Sequence, residues 1–191
     1  QTAFTLSARD VAAFEQTGIF PASGAIAAAA LAAARKEDEV LFNGVAEAGI
    51  RGLVNADGVQ SFKLASCDKV GTAAENLINA ANLLDAAGFH GPYAVALSPA
   101  LYNTLFRLYP QGNLTELQHL QTFITDGIVK APGLASGGIL LASGRQFASI
   151  LVGQDLATGF VGPKGKSFEF VVSESIALRL IQPRAIVVLQ T

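Results

Sequence analysis

Ser23-Gly24-Ala25-Ile26-Ala27-Ala28-Ala29-Ala30-Leu31-Ala32-Ala33-Ala34-Arg35-Lys36-Glu37-Asp38-Glu39-Val40-Leu41-Phe42-Asn43-Gly44 is the stretch around which the rest of the chain falls into order. Alanine is the strongest helix former, so this run needs little packing to become a helix. Ile26, Ala30, Ala33, Ala34, Val40 and Leu41 recur at offsets of 4, 7, 8, 14 and 15, which is one helical face. Pro21 and Ser23 supply a start and Gly44 a stop. Small side chains also let neighbouring backbone come close. The uncharged part, Ser23 to Ala34, is shorter than the roughly 18–20 strongly apolar residues a membrane span needs.

Towards the N-terminus, Thr2 to Leu6 alternate as a short strand and Ser7 to Gln16 form a short helix ending at Gly18. Towards the C-terminus, Gly49, Gly52 and Gly58 mark turns and short strands. Thr72-x-x-Glu75 has the form of a capping box opening a helix whose inner face is Leu77, Ala80, Ala81 and Leu84, stopping near Gly88. Tyr93 to Leu97 reads as a strand. Ser98 and Pro99 start a third helix that runs to about Tyr109. Tyr109 to Asn113 is a Pro/Gly loop, and Thr115 to Thr125 a helix with Leu117, Leu120 and Ile124 in phase. After that the period becomes that of strands: Ile128 to Ala131, Gly138 to Ala142, Ser149 to Gly153, Phe168 to Ser173, Ile176 to Ile181, and Arg184 to Leu189. Helices early and strands late make the fold class α+β rather than a regular βαβ wind.

Charged residues are 15% of the 191, against about 25% in an ordinary domain, while hydrophobic residues reach 51%. Mean hydropathy is +0.42. A lone subunit this size needs a polar exterior, so the shortage of charge points to an exterior buried against other subunits. The net charge of 13 − 15 = −2, without a cluster of Lys and Arg, argues against a grip on nucleic acid. There is no secretory pattern. One cysteine excludes an internal disulfide and a cysteine metal cluster and fits a reducing cytoplasm.

The chemistry-bearing residues form no catalytic or metal constellation. Glu37, Asp38 and Glu39 are consecutive on a helix and point about 100° apart, so they suit ion pairing at a helix end better than a shared ligand. His90 and His119 show no carboxylate or second ligand nearby in sequence. Cys67 has Asp68 beside it, the wrong charge to draw out a thiolate. Ser98 before Pro99 is a helix cap, and Gly-x-Ser-x-Gly does not occur. Gly162-Pro163-Lys164-Gly165-Lys166 lacks the phosphate-loop spacing and reads as a hairpin loop.

Six blocks taken in order resemble encapsulin shell proteins: Glu37–Gly44, Gly49-Ile50-Arg51-Gly52-Leu53, Gly91-Pro92-Tyr93, Asp126–Pro132, Gly153–Gly159, and a closing pattern at Ser173-Glu174-Ser175 and Ala185–Leu189. The resemblance covers Phe4 to the end. It implies the Hong Kong 97-type capsid fold, with Pro21–Gly44 as its spine helix. The implied division is an extended-loop remnant (1–20), spine and peripheral domain (21–67), axial domain (68–143), peripheral strands (144–183) and a terminal strand returning to the axial domain (184–191). Family members carry an N-terminal helix and the first strand of the extended loop ahead of the point where Gln1 falls. A fragment, a separate chain for that part, and a shortened variant all remain open.

The resemblance further implies a cytoplasmic icosahedral compartment of sixty copies, or a multiple, loaded with a cargo enzyme through that enzyme's C-terminal peptide. The loop Tyr109, Pro110, Gln111, Gly112 and Asn113 would line a pore at the five-fold axis, with Gln111 and Asn113 as a neutral polar ring. Phe147, Ile150 and Val152 would receive apolar side chains of the cargo peptide. Burial between subunits would fall on the extended-loop strand (Phe4, Leu6) and the spine helix (Ile26, Glu37, Asp38, Glu39). Some members place a Trp where Arg9 stands; with no Trp in the chain, no flavin and no other cofactor is expected. No membrane contact is expected, and nucleic acid is disfavoured. The rivals are a tailed-phage capsid protein packaging DNA, which needs basic residues facing the lumen, and a hydrolase, which has no catalytic constellation here.

Overall fold

The computed structural model describes residues 1–19 and 24–191. The expected helix start at Pro21 and Ser23 lies outside the described residues. Two compact units are present: Gln1–Glu37 with Ile150–Ala177, and Asp38–Ser149 with Leu178–Thr191.

The first unit begins with β1 (Thr2–Ser7), which runs directly into α1 (Ala8–Thr17). Ser7 makes the change of direction possible: its backbone stays extended while its Oγ accepts from the Asp10 N–H at 3.0 Å, satisfying one of the open donors of the first turn. Gly18 closes the helix, its N–H reaching the Phe14 carbonyl at 2.8 Å. Next comes most of α2 (Gly24–Asn43), where Ile26, Ala29, Ala30, Ala33 and Glu37 form the more covered stripe. The stripe is close to the one expected, although Ala29 belongs to it and Ala34 is exposed. Two long strands, β8 (Ala148–Lys164) and β9 (Ser167–Leu180), supply the remainder. The sheet order is β1-β9-β8, with Phe4 opposite Phe170 and Leu6 opposite Phe168. Residues 165–166 make the hairpin turn, whereas Gly162, Pro163 and Lys164, expected in the loop, still belong to β8. Phe168–Ser173 and Ile176–Ile181 are not two strands. Residues 174–175 stay extended between them, and Gly153 leaves room there for Ser175 to lie close by.

The second unit is built on a five-stranded sheet in the order β4 (Gln60–Lys63), β10 (Ile186–Gln190), β7 (Gly138–Ala142), β5 (Tyr93–Leu97), β6 (Ile128–Lys130). β4 and β10 are parallel, as are β5 and β6, whereas β7 runs antiparallel to both of its neighbours. The two-residue period of a strand divides its side chains between two cores. Tyr93, Val95, Leu97, Leu140, Ala142, Val187 and Leu189 join Leu77, Ala80, Ala81 and Leu84 of α3 (Thr72–Ala86). On the other face Ile139 and Ile186 join Ala131 and Leu134, with Phe42, Leu53 and Val54 packed around them.

The way out of α2 depends on two glycines. The chain passes through β2 (Gly44–Val45), a single 3-10 turn, and β3 (Ile50–Arg51). The Leu53 and Val54 N–H groups then bond back to the Leu41 and Phe42 carbonyls, each at 2.9 Å. A Cβ on Gly44 would lie 2.3 Å from the Ile50 oxygen, and one on Gly52 would lie 2.4 Å from the Phe42 oxygen.

Three expectations from the sequence need correcting here. Thr72 does not cap α3. Gly71, in the left-handed region, holds that position, and the Thr72 hydroxyl donates to the Lys69 carbonyl at 2.6 Å instead. The formed capping box is Thr115–Gln118, at the start of α5 (Glu116–Gln121). The third helix, α4 (Pro99–Thr104), stops five residues early because the backbone beyond it bonds elsewhere. The Leu117 N–H reaches the Leu105 carbonyl at 2.8 Å, and Leu108 bridges Thr115. α5 is likewise shorter than expected, although Leu120 and Ile124 are buried as anticipated.

Candidate functional site

The loop Tyr109–Asn113 stands on a braced base. The Leu108–Thr115 bridge closes it, and the Tyr109 N–H donates to the Leu114 carbonyl at 3.0 Å. Below the bridge, Arg107 and Glu116 form an ion pair at 3.1 Å, the Glu116 side chain 0% exposed and that of Arg107 28% exposed. A buried carboxylate is tolerated only when its oxygens are occupied. Glu116 satisfies this, with one oxygen on Arg107 and the other accepting from the Ala74 N–H at 3.1 Å, at the start of α3. Arg107 in turn donates to the carbonyls of Thr104, Cys67 and Asp68 at 2.9, 2.7 and 3.1 Å. One charge pair thereby ties the loop base, α4, α3 and the segment before α3 together. The sequence reading missed both residues, since nothing in their spacing marks them as partners.

At the loop itself Pro110, Gln111, Gly112 and Asn113 are exposed, and the Gly112 N–H bonds the Tyr109 carbonyl at 3.2 Å. The Tyr109 hydroxyl lies 2.9 Å from His119 Nδ1. Burial first, and the Glu116 charge second, raise the Tyr109 phenol above its ordinary pKa.

The second candidate surface is the β-sheet of the first unit. Ile150, Leu151, Val152, Leu156, Phe160 and Val161 of β8 are all exposed. Phe160 lies 5.3 Å from Phe170, which stacks on Phe4 at 5.3 Å between ring centres. β8 is an edge strand of 17 residues, a length that leaves many backbone groups open to pairing.

The remaining candidates are distributed as follows. Phe4 and Leu6 are half-buried in the first unit, and so is Ile26. Glu37 and Asp38 are half-buried and Glu39 is exposed. Of the three cargo-peptide candidates, Phe147 packs edge-on against Phe89 within the second unit, whereas Ile150 and Val152 belong to the exposed β8 of the first. His90 does have a carboxylate near it, contrary to the sequence reading: Asp85 Oδ1 is 3.0 Å from its Nδ1 and also accepts the Tyr93 hydroxyl. These bonds, that of Tyr93 foremost, hold the Asp85 carboxyl below its ordinary value. Among the described residues no group of three or more His, Cys, Asp and Glu could hold a metal ion, and no helix is long and apolar enough to cross a membrane.

Compared with solved structures, the chain superposes on a virus-like particle from Pyrococcus furiosus with a TM-score of 0.80 at 25% identity, covering 98% of this chain and 74% of that one. It superposes on the capsid of Myoviridae phage XM1 with a TM-score of 0.72 at 16% identity, covering 98% and 70%. The fold is therefore that of the Hong Kong 97-type capsid proteins. Residues 1–177 match the family described as an encapsulating protein for peroxidase. The type 1 encapsulin shell protein EncA of Myxococcus xanthus is 31% identical over 188 residues, which is 98% of this chain and 66% of that protein. The chain belongs to this family, the encapsulin shell proteins. It spans just under two thirds of the length of that curated relative.

Proposed function

We propose that the chain is the repeating subunit of a closed icosahedral shell of sixty copies, or a multiple, that encloses cargo enzymes and does no chemistry of its own. The single observation that carries this reading is the exposed apolar length of β8, added to family membership. Ile150 to Val161 is a surface that an isolated subunit in water has no use for. Contacts between unlike patches, repeated around five-fold and three-fold axes, close a shell when the angles fit. In this reading the second unit supplies the axial domain, about residues 68–143, with the exposed Gln111 and Asn113 around a five-fold opening. The braced base favours that role, because a rim must hold its diameter. Ile150 and Val152, exposed on β8, remain available to the C-terminal targeting peptide of a cargo enzyme, while Phe147 packs in the second unit's core.

Light scattering and electron microscopy of the purified chain test the reading. Uniform hollow particles free of nucleic acid support it. A persistent monomer at high concentration overturns it, and particles that retain DNA transfer the chain to the capsid rival.

A further inference from the structure

In the second unit, β4, β5 and β10 end at the same edge of the sheet, where β7 begins. Strands that leave a sheet in different directions open a crevice at their carboxyl ends. Here that crevice is a cavity of about 340 Å³, bordered by Leu64 and Cys67, by Ser98 and Leu101, and by Gly137 and Thr191. It stays open because its walls are small, with Ala65, Ala100, Ala135 and Ser136 lining it too.

Ser98 gives the cavity its chemistry. It is 1% exposed and occupies the N-cap position of α4, yet its hydroxyl makes no capping bond. Its backbone is fully engaged: its N–H donates to the Gly137 carbonyl and its own carbonyl accepts from Tyr102, both at 2.9 Å. Its Oγ makes no capping bond to α4, and the hydroxyl is open to the cavity that Ser98 lines, where a ligand or water can reach it. The other side-chain polar atoms of the lining each have at least one hydrogen-bond partner. Thr104 Oγ1 donates to the Leu101 carbonyl at 2.7 Å, Thr191 Oγ1 to Ser136 Oγ at 3.3 Å, and Ser66 Oγ to Asp68. Cys67 Sγ is shared between the Ala65 carbonyl and Asn76 Nδ2, each at 3.5 Å. No Asp, Glu, Lys, Arg or His lines the space.

The geometry points to a binding site for a small uncharged organic molecule with one hydrogen-bonding head, held by Ser98 Oγ, and an apolar body against Leu64, Leu101 and Cys67. The lining offers no Asp, Glu, Lys, Arg or His side chain to neutralise a charged ligand, so desolvation disfavours one. The volume, near the lower end for ligand sites, suits a single ring and not a nucleotide. The site is separate from the loop and from β8, and it holds whether or not the chain forms shells.

Benzamide is a suitable probe, with benzoate as its charged counterpart. Saturation-transfer NMR on the full chain, as purified, should show saturable binding of benzamide and none of benzoate. Ser98→Ala should weaken benzamide about three- to tenfold, the loss expected for one hydrogen bond, and Ala100→Phe, which fills the space, should abolish binding. Cys67 is the single cysteine, so slower alkylation of it by iodoacetamide when benzamide is present locates the site. No saturable benzamide signal, equal binding of benzoate, or binding indifferent to both substitutions would overturn the assignment and leave the cavity to solvent water.

Discussion

Two short aliphatic runs, Ile186–Leu189 in β10 and Ile150–Val152 in β8, are treated in opposite ways. In β10, Ile186, Val187, Val188 and Leu189 are 0, 0, 7 and 2% exposed; in β8, Ile150, Leu151 and Val152 are 49, 49 and 53% exposed. β10 lies between β4 and β7 under α3, so both of its faces are covered by its own unit. β8 is the edge of a three-stranded sheet. Full burial stabilises by about 1.5–3 kcal/mol per large aliphatic side chain. The second unit gains that from its own chain, and the first unit leaves much of it for another surface to collect. Hydrophobicity alone therefore does not say where a core is; neighbouring strands decide.

The sharpest way to break this contrast is Val187→Asp. A buried, unpaired carboxylate costs several kcal/mol, which is comparable with the whole stability of a domain of this kind. The chain should fail to fold, read as loss of the far-ultraviolet circular dichroism signal. Glu116→Gln should cost about 1–3 kcal/mol by urea denaturation, since it keeps the shape but removes the charge facing Arg107. Leu156→Ser combined with Val161→Ser, two exposed positions of β8, should change subunit stability by less than about 1 kcal/mol and yet abolish particles by light scattering. Any large loss of melting temperature in that variant would mean β8 is core after all. The smallest effect belongs to Asp85. Its folded pKa lies below the ordinary 3.8, so its contribution is present above that value and is lost as the pH falls through the lower folded one. Asp85→Asn should narrow the gap between melting temperatures measured at about pH 6 and about pH 3.

Much of the second unit was legible in the sequence because its signals are local. Leu77, Ala80, Ala81 and Leu84 repeat with a helical period, and Tyr93–Leu97 alternates as a strand with three of five side chains in one core. The failures came where distant backbone decides. Thr72-x-x-Glu75 and Thr115-x-x-Gln118 look alike on paper, but Gly71 takes the capping position at one and only the other box closes. α4 ends at Thr104 because residues 105–108 bond to residues 114–117, a pairing no periodicity announces. The loop Tyr109–Asn113 could be read from Pro110 and Gly112, while its brace could not. Arg107 and Glu116 are nine positions apart and become partners only because the chain doubles back. Whether β8 would be covered was equally beyond local pattern, since exposure depends on what stands beside a strand.

Gly44 and Gly52 interlock like the two halves of a clasp: a Cβ on either would run into the other's backbone nitrogen, at 2.6 and 2.5 Å. For anyone who diversifies this chain, the two sites behave as one. A bulkier residue at either position jams against main chain, which has no rotamer to yield, and changing the second site cannot make room for the first. Random libraries should return glycine at both, paired or not, and attempts to redesign the joint after the long helix will have to begin by replacing the whole corner from Asn43 to Leu53.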